Sequence, residues 1–593
     1  MSPQLPLQQT WNLDNFFSGG SASPSLRTFL ATLKEDVSKL QKTLRHSSTL
    51  PQAIEKWQEV SARLREVDSF AACLGAQDVN DQAAIQLRGE INSLQAKFDS
   101  ASELLGHELA LLSDRAFSTL LKNEALIPIT FGLSKRRRLA KEKMPFSQEA
   151  LLNDLSTDGF HGWAQLYDTV IGQMRIPLTE DGKEKSLSVG QASNRFSNPS
   201  RQIRKQLFTN WEAAWKEQEQ VFGQILNSLA GFRLKIYDNR KWPSPLKEPL
   251  SLNHMEEKTL NTMWSVVEAN KAPLLKYLKR KAELLGIPQL NWYDLSAPIG
   301  SKSGNIPYDE AVSFIAAQFQ KVSPEMATFA KSACENKWVE AEDRPGKAQG
   351  GFCASFPYTH ETRIFMTYSN TQENVFTLAH ELGHAYHDYV VQPQPEMNRN
   401  YPMSVAETAS TLAEMVISDA ALESAVEPEK QLALLDDKLQ RSVLFFMNIH
   451  SRFLFEQAFY AERHQGLITP QRLCTLMEEA QKKGYCNSLA SYNPYFWASK
   501  SHFYMTTVPF YNFPYAFGYL FSLGIYSILQ RDNASFETKW RDILKDTGSM
   551  TVEELALKHL DVDLTQPTFW QYALDLVNKD AEGFLALSHS HSK

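Results

Sequence analysis

Apolar residues recur at helical spacing along most of this chain. Leu26, Phe29, Leu30, Leu33 and Val37 form one stripe, Ile54, Trp57, Val60 and Leu64 a second, and Ile85, Leu87, Ile91, Leu94 and Phe98 a third. Stripes of this period bury one face of each helix, so residues 24 to 125 are predicted to form a helical bundle. Helical spacing resumes after about residue 200 through Trp211, Trp215, Phe222, Ile225 and Leu229, and again from Lys430 to Gln465. Two interruptions stand out. Between residues 173 and 190, the pair Asp181-Gly182 between short alternating segments predicts a hairpin, and the composition shift beside it suggests a boundary. The expected domains are therefore an N-terminal helical domain with a small hairpin, 1–195, and a second domain, 196–593. The runs Gln349 to Phe356 and Thr362 to Tyr368, bounded by turn residues, predict strands. The class expected is mainly α, with a small β-sheet just before one particular helix.

Composition narrows the function classes. The 593 residues carry a net charge of -7 with no acidic or basic tail, which gives nucleic acid no obvious footprint. The run Lys135-Arg136-Arg137-Arg138, with Lys141, Glu142 and Lys143, has no interleaved aromatics and reads as a solvated helix face. There is no long apolar run of membrane-spanning length, and the first residues show neither the charged nor the apolar part of a secretory signal. The five cysteines are odd in number and unpatterned, as suits packing residues in a reducing compartment. A cytoplasmic protein with no membrane and no nucleic-acid partner is expected; nothing sets its oligomeric state.

The helix that matters spans Val375 to Val391, VFTLAHELGHAYHDYVV. Ser369 and Gln372 read as its capping box, and Val375, Leu378, Ala379, Leu382, Tyr386, Tyr389 and Val390 as its buried face. Glu373, Thr377, His380, Glu381, His384, His387 and Asp388 fall on the opposite side. Residues four apart stack on one helix face, so His380 and His384 can grip one metal ion, while Glu381 lies far enough around to reach a water on that ion instead. Gly383 costs about 1 kcal/mol against alanine in a helix, which predicts a close neighbour at its backbone. Catalytic zinc usually has three protein ligands. The extended pattern HExxHxxGxxH fails, because His387 and Val390 stand where its Gly and His would be. A following helix, Ser404 to Ala420, offers Glu407 and Glu414, although Ser404 and Glu407 also form a capping box in which Glu407 would serve its own helix end.

Around the paired glycines Gly350 and Gly351, next to Phe352, another backbone could approach closely; a bulge or turn is the alternative. Farther on, Trp497 to Tyr504 and Phe510 to Tyr519 offer several tyrosine hydroxyls and one imidazole able to steady an oxyanion.

HELGHAYH, followed by Glu407-Thr408-Ala409-Ser410, resembles the oligoendopeptidase F branch of the M3 (thimet oligopeptidase) metallopeptidases. The likeness extends from Thr10-Trp11-Asn12-Leu13 through Asn291-Trp292-Tyr293-Asp294-Leu295 to the tyrosines near residue 511. It implies two helical lobes enclosing a substrate channel, one zinc per chain on His380, His384 and Glu407, and Glu381 as the base that activates water. It further implies that substrate adds as a strand at Gly350, Gly351 and Phe352, and that His502, Tyr511 and Tyr515 serve the oxyanion, with a gap after His502 longer than the family's. Short peptides are the implied substrates, cut internally. Three rivals remain: a zinc metallocarboxypeptidase, which needs a cation for the terminal carboxylate; a gluzincin aminopeptidase, which needs an acidic anchor for a free N-terminus that shows no signature here; and a non-catalytic zinc-containing peptide-binding protein, which has no use for Glu381.

Overall fold

The computed structural model describes residues 6–45, 50–180, 182–300, 304–531 and 536–590. They form two compact units, each assembled from three stretches of chain. The first comprises Met1–Lys143, Ser303–Ala420 and Ile528–Asp561; the second comprises Met144–Lys302, Ala421–Ser527 and Val562–Lys593. This division does not follow a single boundary near residue 195.

In the first unit, the predicted stripes lie on helices Pro24–Leu44, Leu50–Gln77 and Gln82–Leu111. Ser23 and Asp81 cap the first and third of these by accepting backbone N–H bonds, and the stripe residues are buried apart from half-buried Phe29 and exposed Ile85. The run 135–138 and Lys141 lie on helix Thr130–Lys141; Arg138 and Lys141 are exposed, as expected, whereas Lys135, Arg136 and Arg137 are half-buried. Arg137 donates to the carbonyls of Leu109 (3.1 Å) and Leu112 (2.8 Å), which satisfies acceptors at the end of helix Gln82–Leu111. Arg136 lies 4.3 Å over the Trp57 ring. These cations are structural because their stems and heads have partners in the bundle.

A three-stranded sheet packs on the bundle. Glu361–Phe365 is central, parallel to the two-residue strand Val339–Glu340 and antiparallel to Phe352–Phe356, which lies at the edge. Two of these strands match the predicted runs; the third is too short to show a period. Phe356 and Phe365 join the core of the bundle, and Phe16 stacks on Phe356 at 3.9 Å. The sheet thus leads from the bundle into helix Gln372–Val391.

The second unit holds the predicted hairpin, Ile176–Glu180 paired with Lys183–Leu187. Gly182 takes φ +73° in its turn, a conformation that favours glycine, while Asp181 lies outside the described residues. The long helical stretch after Lys430 is two helices, Pro428–Val443 and Ile449–Arg463, joined without a break by a wider π turn, Leu444–Asn448. All five cysteines are free; Cys73 and Cys334 are buried packing residues, as expected, but Cys486 is exposed. Among the described residues, no helix is long and apolar enough to cross a membrane.

Candidate active site

Helix Gln372–Val391 starts on Thr371, whose hydroxyl accepts from the Asn374 N–H in a capping box. The Asn374 carboxamide oxygen also receives the N–H and hydroxyl of Ser369. The box expected on Ser369 and Gln372 is therefore displaced by two residues, because Ser369 supports the cap from outside the helix. The expected apolar face is buried except for Tyr389, which is 39% exposed. The polar side is largely buried too, at Glu381, His387 and Asp388. His387 bonds Thr547 Oγ1 at 2.9 Å and stacks on Tyr401 at 4.0 Å, and the Tyr401 hydroxyl donates to Asp388. Such partners are what a buried polar face requires.

Gly383 explains how the next segment comes close. A β-carbon there would lie 2.6 Å from Cα of Ser410 and 2.8 Å from the Ala409 carbonyl oxygen. Glu407 does not cap a helix beginning at Ser404. It follows the short helix Met403–Ala406 as its C-cap and precedes Thr408–Ser424. This break turns its carboxylate back toward the histidines, where the Ser410 hydroxyl holds it at 2.8 Å.

Glu407 Oε2 lies 3.4 Å from Nε2 of His380 and 3.4 Å from Nε2 of His384. One ligand atom from each of the three residues falls within 4.8 Å of the others. Glu414 does not join them: its Oε1 lies 2.6 Å from Nδ1 of His380. That carboxylate accepts a hydrogen bond from Nδ1–H, leaving the Nε2 lone pair aimed at the cluster. Two imidazoles and a carboxylate converging in this way are the donor set of a catalytic zinc, and a cation satisfies acceptors that would otherwise face one another. Burial pushes the Glu407 carboxyl up, but the hydrogen bond and charge of His384, aided by His380 and Ser410, outweigh it and hold it down to about 2. It is thus ionised, as a carboxylate able to hold a dication has to be.

Glu381 is 6% exposed, and its Oε2 is buried without a hydrogen-bond partner among the described residues. Burial, with Glu407 nearby, raises its affinity for a proton against the opposing pull of His380 and His384. Gly351 makes room beside it: a β-carbon there would sit 3.1 Å from Glu381 Oε1. Gly350, at φ +95°, and Gly351 lie just before the edge strand and not inside it; Phe352 begins the strand, opposite Phe365.

In the second unit, His502, Tyr511 and Tyr515 are brought together despite their spacing. Ring centroids are 5.4 Å apart for His502 and Tyr511, 6.0 Å for His502 and Tyr515, and 5.3 Å for the two tyrosines. The intervening loop is tied down from below. Arg233 donates to the carbonyls of Met505 and Thr506. The buried Asn512 accepts from Arg452 at 2.9 Å and donates to Glu456 at 3.3 Å. Burial and the charges of Arg452 and Lys500 hold the His502 imidazole down to about 4, so it is neutral at pH 7. Sequence reasoning missed Arg452, Glu456 and Lys500, which carry no motif, and it weighed Glu414 only as a ligand.

The fold and this donor set define a helical metallopeptidase. The model of peptidase family M3 matches residues 196–576, and that of oligopeptidase F matches residues 108–176. The chain belongs to peptidase family M3, in its oligoendopeptidase F branch, and is an enzyme of the metalloendopeptidase class. Oligopeptidase PepF of Bacillus subtilis is 25% identical over 95% of this chain and 85% of its own length. An oligoendopeptidase F homolog of Lactococcus lactis is 21% identical over 94% of each chain. Among solved structures, a Chlamydophila abortus chain is 22% identical with a TM-score of 0.83, covering 98% of this chain and 99% of its own. Oligoendopeptidase-F from Enterococcus faecium is 19% identical with a TM-score of 0.72, covering 95% and 98%.

Proposed function

We propose that the protein is a zinc-dependent endopeptidase that hydrolyses internal bonds of short oligopeptides. The observation that carries this is the convergence of His380, His384 and Glu407 beside the unpartnered carboxylate oxygen of Glu381. His380, His384 and Glu407 would hold one zinc, which when bound makes water acidic enough to ionise near neutral pH and polarises a carbonyl. Glu381 accepts the proton of the attacking water and returns it to the leaving nitrogen; burial, by raising its proton affinity, fits it for both steps. A structural zinc site has no need of such a base, which argues against a non-catalytic binding protein.

The other chain groups follow from the family. Substrate lies along the edge strand Phe352–Phe356 as an added strand, with Gly350 and Gly351 leaving its backbone room. His502, as neutral imidazole, with Tyr511 and Tyr515, supplies donors to the tetrahedral oxyanion. Free thiols and the absence of disulfides among the described residues fit a cytoplasmic location.

The test is cleavage of a short internally quenched peptide, blocked at both ends, before and after chelation and after return of zinc. Internal cleavage lost on chelation and restored by zinc is expected. Cleavage indifferent to metal removal, or a zinc-loaded protein that cuts only peptides with free ends, would overturn the reading.

A further inference from the structure

We propose that Lys500 is a subsite cation that takes a carboxylate of the peptide substrate; this deepens the peptidase reading and rests on it. Lys500 immediately precedes the turn Ser501–Tyr504 that carries His502, and its Nζ lies 5.6 Å over the ring of Phe496. Among the described residues its ammonium has no carboxylate or carbonyl partner. Lys500 itself is half-buried, whereas the fully buried lysines of this unit are paired. Lys281 meets both oxygens of Asp436 at 3.0 and 3.1 Å, and Lys271 meets Nδ1 of His450 at 2.9 Å and the Gly484 carbonyl at 2.7 Å. A half-buried cation with no anionic partner stays within reach of solvent, and a carboxylate arriving from outside would complete its electrostatic pairing.

The neighbours do not supply that anion. Arg452, 5.3 Å over the same Phe496 ring, donates from Nε to Asn448 and from Nη1 to Asn512 and is a second positive charge. Glu456, the acid of this cluster, is held by Asn512, and burial pushes it up to about 8, so it is neutral at pH 7. His502 is neutral and the tyrosines are hydroxyl donors. The cluster therefore has a positive potential with Lys500 as its unspent charge. Burial and Arg452 bring that ammonium down to about 7, and a bound carboxylate would reverse the effect.

A peptide can offer that carboxylate from its C-terminus or from an Asp or Glu side chain. The experiment compares kcat/KM at mildly acidic pH for one peptide as free acid and as C-terminal amide, and with Glu or Gln on either side of the cleaved bond. Wild type, Lys500→Met and Lys500→Arg are compared after circular dichroism confirms their folding. Wild type is expected to favour a carboxylate-bearing peptide about 10- to 100-fold, the range of a charged hydrogen bond. The ratio should collapse toward one in Lys500→Met and recover in part in Lys500→Arg. Loss of the preference on amidation assigns the terminal carboxylate; loss on Glu to Gln assigns the side chain. Equal wild-type rates on charged and neutral peptides, or an unchanged ratio in Lys500→Met, would overturn the proposal. If wild type cleaves no peptide, the peptidase reading fails by itself. Binding of a D-residue peptide as acid and as amide then decides the subsite, equal affinities overturning it.

Discussion

Nδ1 of His380 lies 2.6 Å from Oε1 of Glu414, one of the two carboxylates on which the sequence left the third metal ligand open. Glu407 faces the Nε2 atoms, whereas Glu414 holds the far side of one imidazole. Glu414→Ala is expected to weaken zinc binding by about 10- to 100-fold, the usual cost of losing a carboxylate behind a ligating histidine. Competition with a chelator measures this, and unchanged affinity would remove Glu414 from the site.

Gly383→Ala sets two effects against each other. Alanine gains about 1 kcal/mol of helix propensity, but its β-carbon would meet Ser410 Cα at 2.6 Å and the Ala409 oxygen at 2.8 Å, both rigid backbone. Overpacking typically costs about 1–3 kcal/mol and here would push Glu407 away from the histidines. A lower urea midpoint together with weaker zinc binding is expected; a stabilised variant would show that the two segments separate easily.

Glu456 makes stability depend on pH with a definite sign. Its folded-state carboxyl is pushed up from 4.5 to about 8 by burial. Between those values the unfolded chain binds fewer protons than the folded one, so this group's contribution to stability falls as pH rises through the window. Glu456→Gln keeps an acceptor for Asn512 and removes the titration. Its stability advantage over wild type should grow from mildly acidic pH to about 8, reaching a few kcal/mol. A difference independent of pH would contradict this.

Lys281 and Asp436 are a fully buried ion pair, with the Tyr277 hydroxyl donating to the same carboxylate at 2.6 Å. Lys281→Met leaves Asp436 charged and buried, and about 3–5 kcal/mol of destabilisation is expected in chemical denaturation. Lys281→Met with Asp436→Leu should cost less than the single change.

Local period and spacing made the helices of the bundle, the hairpin at Gly182, two strands and the His380–Glu381–His384 face legible. What spacing could not reveal depends on contacts between distant segments. Glu407 and Glu414 sit two turns apart, and only the helix break after Ala406 sends one to the Nε2 side and the other to Nδ1. Thr371 takes the cap because Asn374 folds back onto it and onto Ser369. His387 and Asp388 look solvated on a helical wheel, but Thr547 and Tyr401, far along the chain, cover them. Arg452 and Glu456 gain meaning through Asn512, and Lys500 through having no carboxylate or carbonyl beside its ammonium among the described residues, neither of which a motif records.

The most direct measurement is turnover of the blocked peptide by Glu381→Gln, with bound zinc quantified in the same sample. The account predicts that the variant binds zinc like the wild type and that kcat falls by at least about a hundredfold, the lower range for removal of a general base. A zinc-loaded Glu381→Gln protein that still cleaves at the wild-type rate would contradict it.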